Sequence, residues 1–298
     1  MNKVKDKRLH ILSSNACNND CLFCMEDKEG GLNLKEELTN DYVFKILKEK
    51  KKEYDKVLFT GYEPTINKNL INYILLAKKL GFQEVQLISN GRILADNNIL
   101  KKFILAGVNV FIISIHYFDK KIHEQITRRE GSFAQTVKAL ENLKKNSQKY
   151  NLQIITNTTL INLNYLEIKK ILDFLSHYPL KTAVFNLTIP IGQALENQEI
   201  NIRYSEVVNL FKKNDLRKYN FEIVINGAVP CLLPDNLELL GYKEIVYSET
   251  DKNKLIKSDT NKTKRPECKK CKFFNICDGV WQNYIDLFGW QEFNSILK

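Results

Sequence analysis

The chain has 298 residues, 44% hydrophobic and 27% charged, with a formal net charge of +10. That length buries one large core, or one core and a small appendage, and no apolar run approaches the roughly eighteen residues a membrane helix needs. The basic start MNKVKDKRLHILSS has too short an apolar stretch for a secretory signal, so a cytoplasmic chain is expected. Its seven cysteines then bind metal or react rather than pair as disulfides.

Lysine- and arginine-bearing stretches such as KEKKK (48–52), TRRE (127–130) and KKNSQK (144–149) read as solvated helix faces. The alternative is a basic surface that attracts an acidic or phosphate-bearing partner. None carries the interleaved aromatics of a nucleic-acid platform, so a nucleic-acid partner is not favoured.

In chain order, strands are predicted at RLHILSS (8–14), KVLFT (56–60), EVQLIS (84–89), VNVFIISIH (108–116), LQIITNT (152–158) and AVFNLTI (183–189). Each is short and β-branched or aromatic, as buried parallel strands are. Between them lie amphipathic helices. Asp96 is expected to cap one that carries Ile99, Leu100, Phe103 and Ile104 and stops at Gly107. Asn164 is expected to start another, with Ile168, Ile171, Leu172 and Leu175 on one face. Six β/α units in series predict an α/β fold, a partial (β/α)6 TIM-type barrel over residues 1–227. Past FEIVING (221–227) the rhythm changes, residues 228–267 read as irregular, and 228–298 is expected to form a small cysteine-rich module.

CNNDCLFC (17–24) directly follows the first strand, which places Cys17, Cys21 and Cys24 at the face where such barrels carry their chemistry. The spacing fits neither common zinc pattern, since those supply four ligands. Three thiolates suit a four-iron cluster in which one iron is left open.

This stretch resembles the CxxxCxxC signature of radical S-adenosylmethionine (SAM) enzymes. The resemblance implies a [4Fe–4S] cluster on Cys17, Cys21 and Cys24 whose open iron chelates SAM and whose electron cleaves it to a 5′-deoxyadenosyl radical. It implies that Phe23 lies near the adenine. TGYEPT (60–65) resembles the family's GGEPT, which implies SAM contacts at Gly61, Tyr62 and Glu63; with tyrosine replacing the second glycine, Tyr62 is expected to keep φ negative or shift the loop. LISNG (87–91), with Ser89 and Asn90, stands where relatives carry a TNG-like motif. Ser114 in ISIH is expected to meet the ribose or carboxylate of SAM, and Arg128 in HEQITRREGSF (123–133) its carboxylate. His116 and His123 are candidates for substrate contact.

Cys231 in VPCLLP and Cys268, Cys271 and Cys277 in CKKCKFFNIC make a second set of four. The set resembles the C-terminal SPASM or twitch modules and implies a second, auxiliary [4Fe–4S] cluster; structural zinc is the alternative. Three plus four uses all seven cysteines, which leaves no thiol to donate a hydrogen atom or carry a methyl group.

The expected function is a radical SAM enzyme that abstracts a hydrogen atom from a peptide or a small-molecule natural product. A flavodoxin- or ferredoxin-type donor would reduce it. Because the barrel begins by residue 8, with no leader-binding domain ahead of it, some weight moves from peptide to small molecule. A nucleic-acid-modifying enzyme and a non-catalytic zinc or iron–sulfur binding protein are the alternatives.

Overall fold

The computed structural model describes residues 6–25, 39–241, 244–247 and 261–297. β1 (Asp6–Leu12) and α1 (Asn40–Lys50) are followed by β2 (Lys56–Thr60), α2 (Leu70–Lys79), β3 (Glu84–Ser89) and α3 (Asn97–Ala106). Next come β4 (Val110–Ser114), α4 (Lys120–Thr127), α5 (Ser132–Tyr150), β5 (Gln153–Leu160) and α6 (Ile168–Leu175). Then follow β6 (Thr182–Leu187), the short α7 (Gln193–Glu196), α8 (Tyr204–Lys213) and β7 (Glu222–Asn226).

These seven strands line up in chain order and pair in parallel. Each crossover steps one strand along, the arrangement that right-handed βαβ units curl into a barrel wall. The partial TIM-type barrel is the fold. An eighth strand, β8 (Glu244–Tyr247), pairs in parallel with β1 on the side away from β2. Residues 228–267 are therefore not irregular throughout, as the sequence suggested. EIVY is a strand whose four-residue length and charged surroundings gave it no periodic signature. Residues 248–260 lie outside the described set.

Side chains alternate cleanly between the two faces of the wall. Leu9, Ile11, Val57, Phe59, Val85, Leu87, Phe111 and Ile113 point outward into the main apolar cluster beneath the helices. Leu58, Val110 and Ile112, with Ile88 and Ile155, form a separate cluster on the lumen side. The main cluster also takes in Val229, Leu232, Leu233, Leu239, Val280, Tyr284 and Phe293. The C-terminal residues thus share the barrel's core. Tyr284 stacks on Tyr204 of α8 at 3.8 Å, and its Oη accepts the Tyr204 N–H at 2.9 Å.

Asp96 caps α3 as expected, accepting from the N–H groups of Asn98 and Ile99, and Gly107 ends that helix at φ +127°. Asn164 starts the next helical stretch as expected, at the N-cap position of a 3-10 turn (Tyr165–Glu167) that runs into α6, but without a side-chain cap bond. Its Oδ1 accepts the Ile161 N–H at 2.8 Å, and its Nδ2 donates to His116 O and Thr159 O at 2.9 and 2.8 Å. A buried carboxamide that can satisfy three backbone groups at once holds two strand ends together instead. After the last barrel strands, β9 (Lys262–Thr263) and β10 (Val280–Trp281) form a two-stranded antiparallel ribbon, and α9 (Gln282–Phe288) follows.

Candidate active site

The loop from Cys17 to Cys24 leaves the C-terminal end of β1 and is tied down by three other parts of the barrel. The Glu63 N–H donates to Ala16 O at 3.0 Å, fixing the loop to the turn after β2. Asp20 and Leu22 donate to Thr127 O and Ile126 O at 2.9 and 3.0 Å, the carbonyls that α4 leaves without helical partners at its end. The Gln193 N–H at the start of α7 donates to Cys24 O at 2.9 Å. Gly192 makes that approach possible: at φ +54°, a Cβ there would lie 2.6 Å from Cys24 O and 2.8 Å from Met25 O.

The three thiols share one electrostatic neighbourhood. Burial raises Cys21 well above the usual thiol range, and the charges of Cys17 and Cys24 raise it further; the Arg128 charge opposes them. Cys17 is raised first by burial, while the Asn19 N–H donates to its sulfur at 3.4 Å and Asn90 Nδ2 lies 3.9 Å from it. Three crowded thiols, each disfavouring ionisation of the others, are a soft donor set that gives up its protons when a cationic group binds. The donor set fits an iron–sulfur cluster with one open iron.

Glu63 is 1% exposed and holds the motifs after β2 and β3 together. Its Oε1 accepts from Thr65 N at 3.1 Å, Thr65 Oγ1 at 2.5 Å and Ser89 Oγ at 2.8 Å, and its Oε2 accepts the Asn90 N–H at 2.7 Å. Burial pushes its pKa up, and these four donors work against that. Ser89 Oγ also accepts the Gly91 N–H at 2.9 Å. Asn90 passes the chain of contacts to the cysteine loop, with Nδ2 donating to Asn18 Oδ1 at 2.6 Å. Glu63, Ser89 and Asn90 are thus brought together.

Tyr62 departs from expectation. Its φ is +40°, following Gly61 at +89°, so the left-handed turn is kept with a side chain on it. A Cβ on Gly61 would stand 3.1 Å from Ser14 O. The close packing of this turn on the strand β1 end fixes the backbone, and a non-glycine residue there carries about 1–2 kcal/mol of strain.

Phe23 packs edge-on against His116 at 4.8 Å, and His116 stacks on His123 at 5.7 Å. Both imidazoles are buried and held neutral: burial drives His116 well below its ordinary value and His123 to about 4. His123 Nδ1 accepts the His116 N–H at 3.3 Å, and its ring meets Phe133, on the helix side of the wall. Ser114 ends β4 on the lumen face, level with Asn157. Arg128 is exposed, in a left-handed conformation at φ +50°, and donates to Gln193 Oε1 at 2.7 Å.

Three contributors were missed in the sequence. Arg92 donates to Asn18 O and, at 3.2 and 2.6 Å, to Asn19 Oδ1 and Gln135 Oε1, clamping the cysteine loop. Gly192 lies in a segment whose proximity to Cys24 no local pattern announces. The third is a lumen row, Thr159, Asn186 and Asn226, directly opposite one another on β5, β6 and β7. Alternation points to Asn186 and Asn226, each the polar member of an apolar strand end, but not to Thr159, which follows Asn157 and Thr158 in β5.

The second cysteine set surrounds a cleft of about 430 Å³ including its open mouth, lined by Cys231, Cys268, Cys271 and Cys277. Burial first, then the other three thiols, push Cys231 up to about 12. The Gly279 N–H donates to Cys277 Sγ at 3.3 Å. Among the described residues no three His, Cys, Asp or Glu side chains converge on a single-ion site.

The chain belongs to the radical SAM superfamily, whose sequence model matches residues 11–175, more than half of its length. A probable GTP 3′,8-cyclase of Saccharolobus solfataricus is 33% identical over 121 residues, which are 40% of this chain and 38% of that relative. The chain thus covers well under half the length of that curated relative. Among solved structures, Streptococcus suis SuiB bound to its precursor peptide SuiA aligns with a TM-score of 0.66 at 15% identity, over 94% of this chain and 72% of that one. The enzyme anSMEcpe with bound AdoMet and a peptide aligns with a TM-score of 0.54 at 16% identity, over 93% and 89%. At these identities the likeness shows the fold. Among the described residues no helix is long and apolar enough to cross a membrane.

Proposed function

We propose that Cys17, Cys21 and Cys24 hold the [4Fe–4S] cluster, and that the enzyme acts on a C–H bond of a peptide or small-molecule substrate lying over the barrel mouth. The observation that carries this is the convergence of three thiols at the C-terminal end of β1, tied by backbone hydrogen bonds to the ends of β2, α4 and the start of α7. When bound, the cluster and SAM supply one-electron cleavage of the sulfonium and the hydrogen-atom abstraction that follows.

The protein's part is binding and aim. The turn at Gly61 and Tyr62 presents backbone groups to SAM, with Glu63 holding that turn against Ser89 and Asn90. Phe23, braced by His116, offers an apolar face to the adenine. Ser114 faces the lumen to meet the ribose. Arg128 stands where its charge acts on Cys21, in reach of a carboxylate, and Gln193 orients it. Buried, neutral imidazoles beside the site keep an adventitious charge out of it.

Cys231, Cys268, Cys271 and Cys277 hold a second [4Fe–4S] cluster. The four thiols line one cleft, as the ligands of a single centre must, and structural zinc on the same four residues is the alternative. A flavodoxin- or ferredoxin-type protein supplies electrons. The likeness to a probable GTP 3′,8-cyclase favours a second reading, a nucleotide substrate.

The test is 5′-deoxyadenosine production by anaerobically reconstituted, reduced protein with SAM. Nucleoside from the native chain and none from Cys21→Ala is expected. Equal yields from the two would overturn the assignment of the first cluster.

A further inference from the structure

The lumen face of the strand ends carries a polar row whose chemistry bears on the substrate. Thr159, Asn186 and Asn226 stand in register across β5, β6 and β7, and Ser114 stands beside Asn157 one step away. Their face is fixed by alternation. Thr158, Leu160, Phe185, Leu187 and Ile225 are buried on the opposite face, whereas Ile112 and Ile155, in phase with Ser114 and Asn157, belong to the lumen cluster. All five polar residues are half-buried, so they border a space that water or a ligand can enter.

Asn226 Nδ2 donates to Asn186 Oδ1 at 3.0 Å, which orients the Asn186 carboxamide and directs its own amide N–H pair away from that bond. Gly241 backs Asn226: a Cβ there would fall 2.0 Å from Asn226 Oδ1, so the carboxamide is pinned against the backbone. Thr159 donates its backbone N–H to His116 Nδ1 at 3.3 Å, and strand alternation puts its side chain on the same face as Asn157 and Asn186. Neighbouring strands lie about 4.8 Å apart. The row is therefore a pre-set ladder of neutral donors and acceptors.

The charge around it is as telling. Among the described residues, no Lys or Arg occupies a lumen-facing position at the ends of β4 to β7. The guanidinium after β3, Arg92, is committed to Asn18, Asn19 and Gln135. A triphosphate carries several negative charges and is recognised by Arg or Lys clusters. A carboxamide both donates and accepts, which matches the N–H and C=O of a peptide unit.

We infer that Thr159, Asn186 and Asn226 form the substrate-recognition row, and that they take an uncharged, amide-bearing peptide segment rather than a nucleoside triphosphate. The inference rests on the functional reading above and deepens it. Thr159 and Asn186 would meet the peptide, and Asn226 acts as a positioning residue through Asn186.

Two probes separate the possibilities on reconstituted, reduced protein with SAM: GTP deuterated on its ribose, and a tryptic digest of deuterated bacterial protein freed of nucleotides on an anion exchanger. Equilibrium dialysis reads GTP binding, and mass spectrometry reads deuterium carried into 5′-deoxyadenosine. The expected result is deuterium from the digest, no saturable GTP binding, and about a tenfold loss of deuterium transfer in Thr159→Val and in Asn186→Leu. Iron per chain and the thermal unfolding midpoint of both variants should match the native protein, which shows them folded and loaded. Deuterium from GTP, or saturable GTP binding, overturns the inference, as does unchanged transfer in both variants. Absence of 5′-deoxyadenosine altogether would instead indict the functional reading.

Discussion

Tyr62 shows how a residue and its backbone divide the information. The sequence marks the position by departing from the glycine of GGEPT, but the sign of φ is set by tight packing of the turn against Leu12 and Ser14. The left-handed conformation survives the substitution because Gly61 beside it cannot move. His123 makes a related point. Its burial against Phe133 and His116 holds the ring neutral, with a pKa of about 4 against an unfolded value near 6.5. A base depressed in this way contributes stability that is full above the unfolded value and is lost as pH falls toward the folded one, by up to about 3 kcal/mol. His123→Asn keeps an acceptor for the His116 N–H and removes the titration. Urea unfolding from pH 7 down to pH ~5 should show a flatter loss of stability in the variant. An unchanged slope would place the acid sensitivity elsewhere.

At the level of elements, the six strands and the cap of α3 were legible because local signals and tertiary outcome agree there: short β-branched runs, an Asp cap, a terminal glycine. Asn164 starts its helical stretch as the sequence indicates, but its side chain serves three buried backbone partners across strand ends rather than the first helical N–H groups. β8 was unreadable at four residues, since its place is set by the free edge of β1. The cysteine loops were legible as spacing, whereas their anchors were not. Gly192 is the clearest case. Gly192→Ala places a methyl group against Cys24 O and Met25 O, and the start of α7 must retreat from the loop. Iron and sulfide per chain after reconstitution should fall in this variant, although every cysteine is intact. Wild-type iron content would show that α7 is not needed to hold the loop.

For the whole molecule, the C-terminal residues are part of the barrel's packing rather than an appended bead. Val280, Tyr284 and Phe293 lie in the main core, and Glu292 accepts from the Ser205 N–H at 2.6 Å. The proposed pair of clusters, one on each cysteine set, predicts about eight irons per chain. Cys271→Ala should bring this to about four while SAM cleavage without substrate persists. A full complement of iron in that variant would remove Cys271 from the ligand set, and loss of SAM cleavage would show the two sites to be inseparable. Cys271 was legible from CxxC spacing, and its grouping with Cys231, read from the sequence as a set of four, agrees with the cleft that all four line.

The ties on the first cysteine loop also set a timetable. Cys17, Cys21 and Cys24 leave the ribosome early, but the groups that hold their loop arrive in steps, Glu63 first, then Ile126 and Thr127, and Gln193 last. Until Gln193 is made, the frame around the three thiols is incomplete. Iron delivered in that interval would meet a flexible ligand, open to mispairing and oxidation. The architecture therefore makes cofactor insertion a late event, after β6 has docked, and makes a truncated chain ending before Gly192 a poor acceptor of iron even though it carries the whole signature.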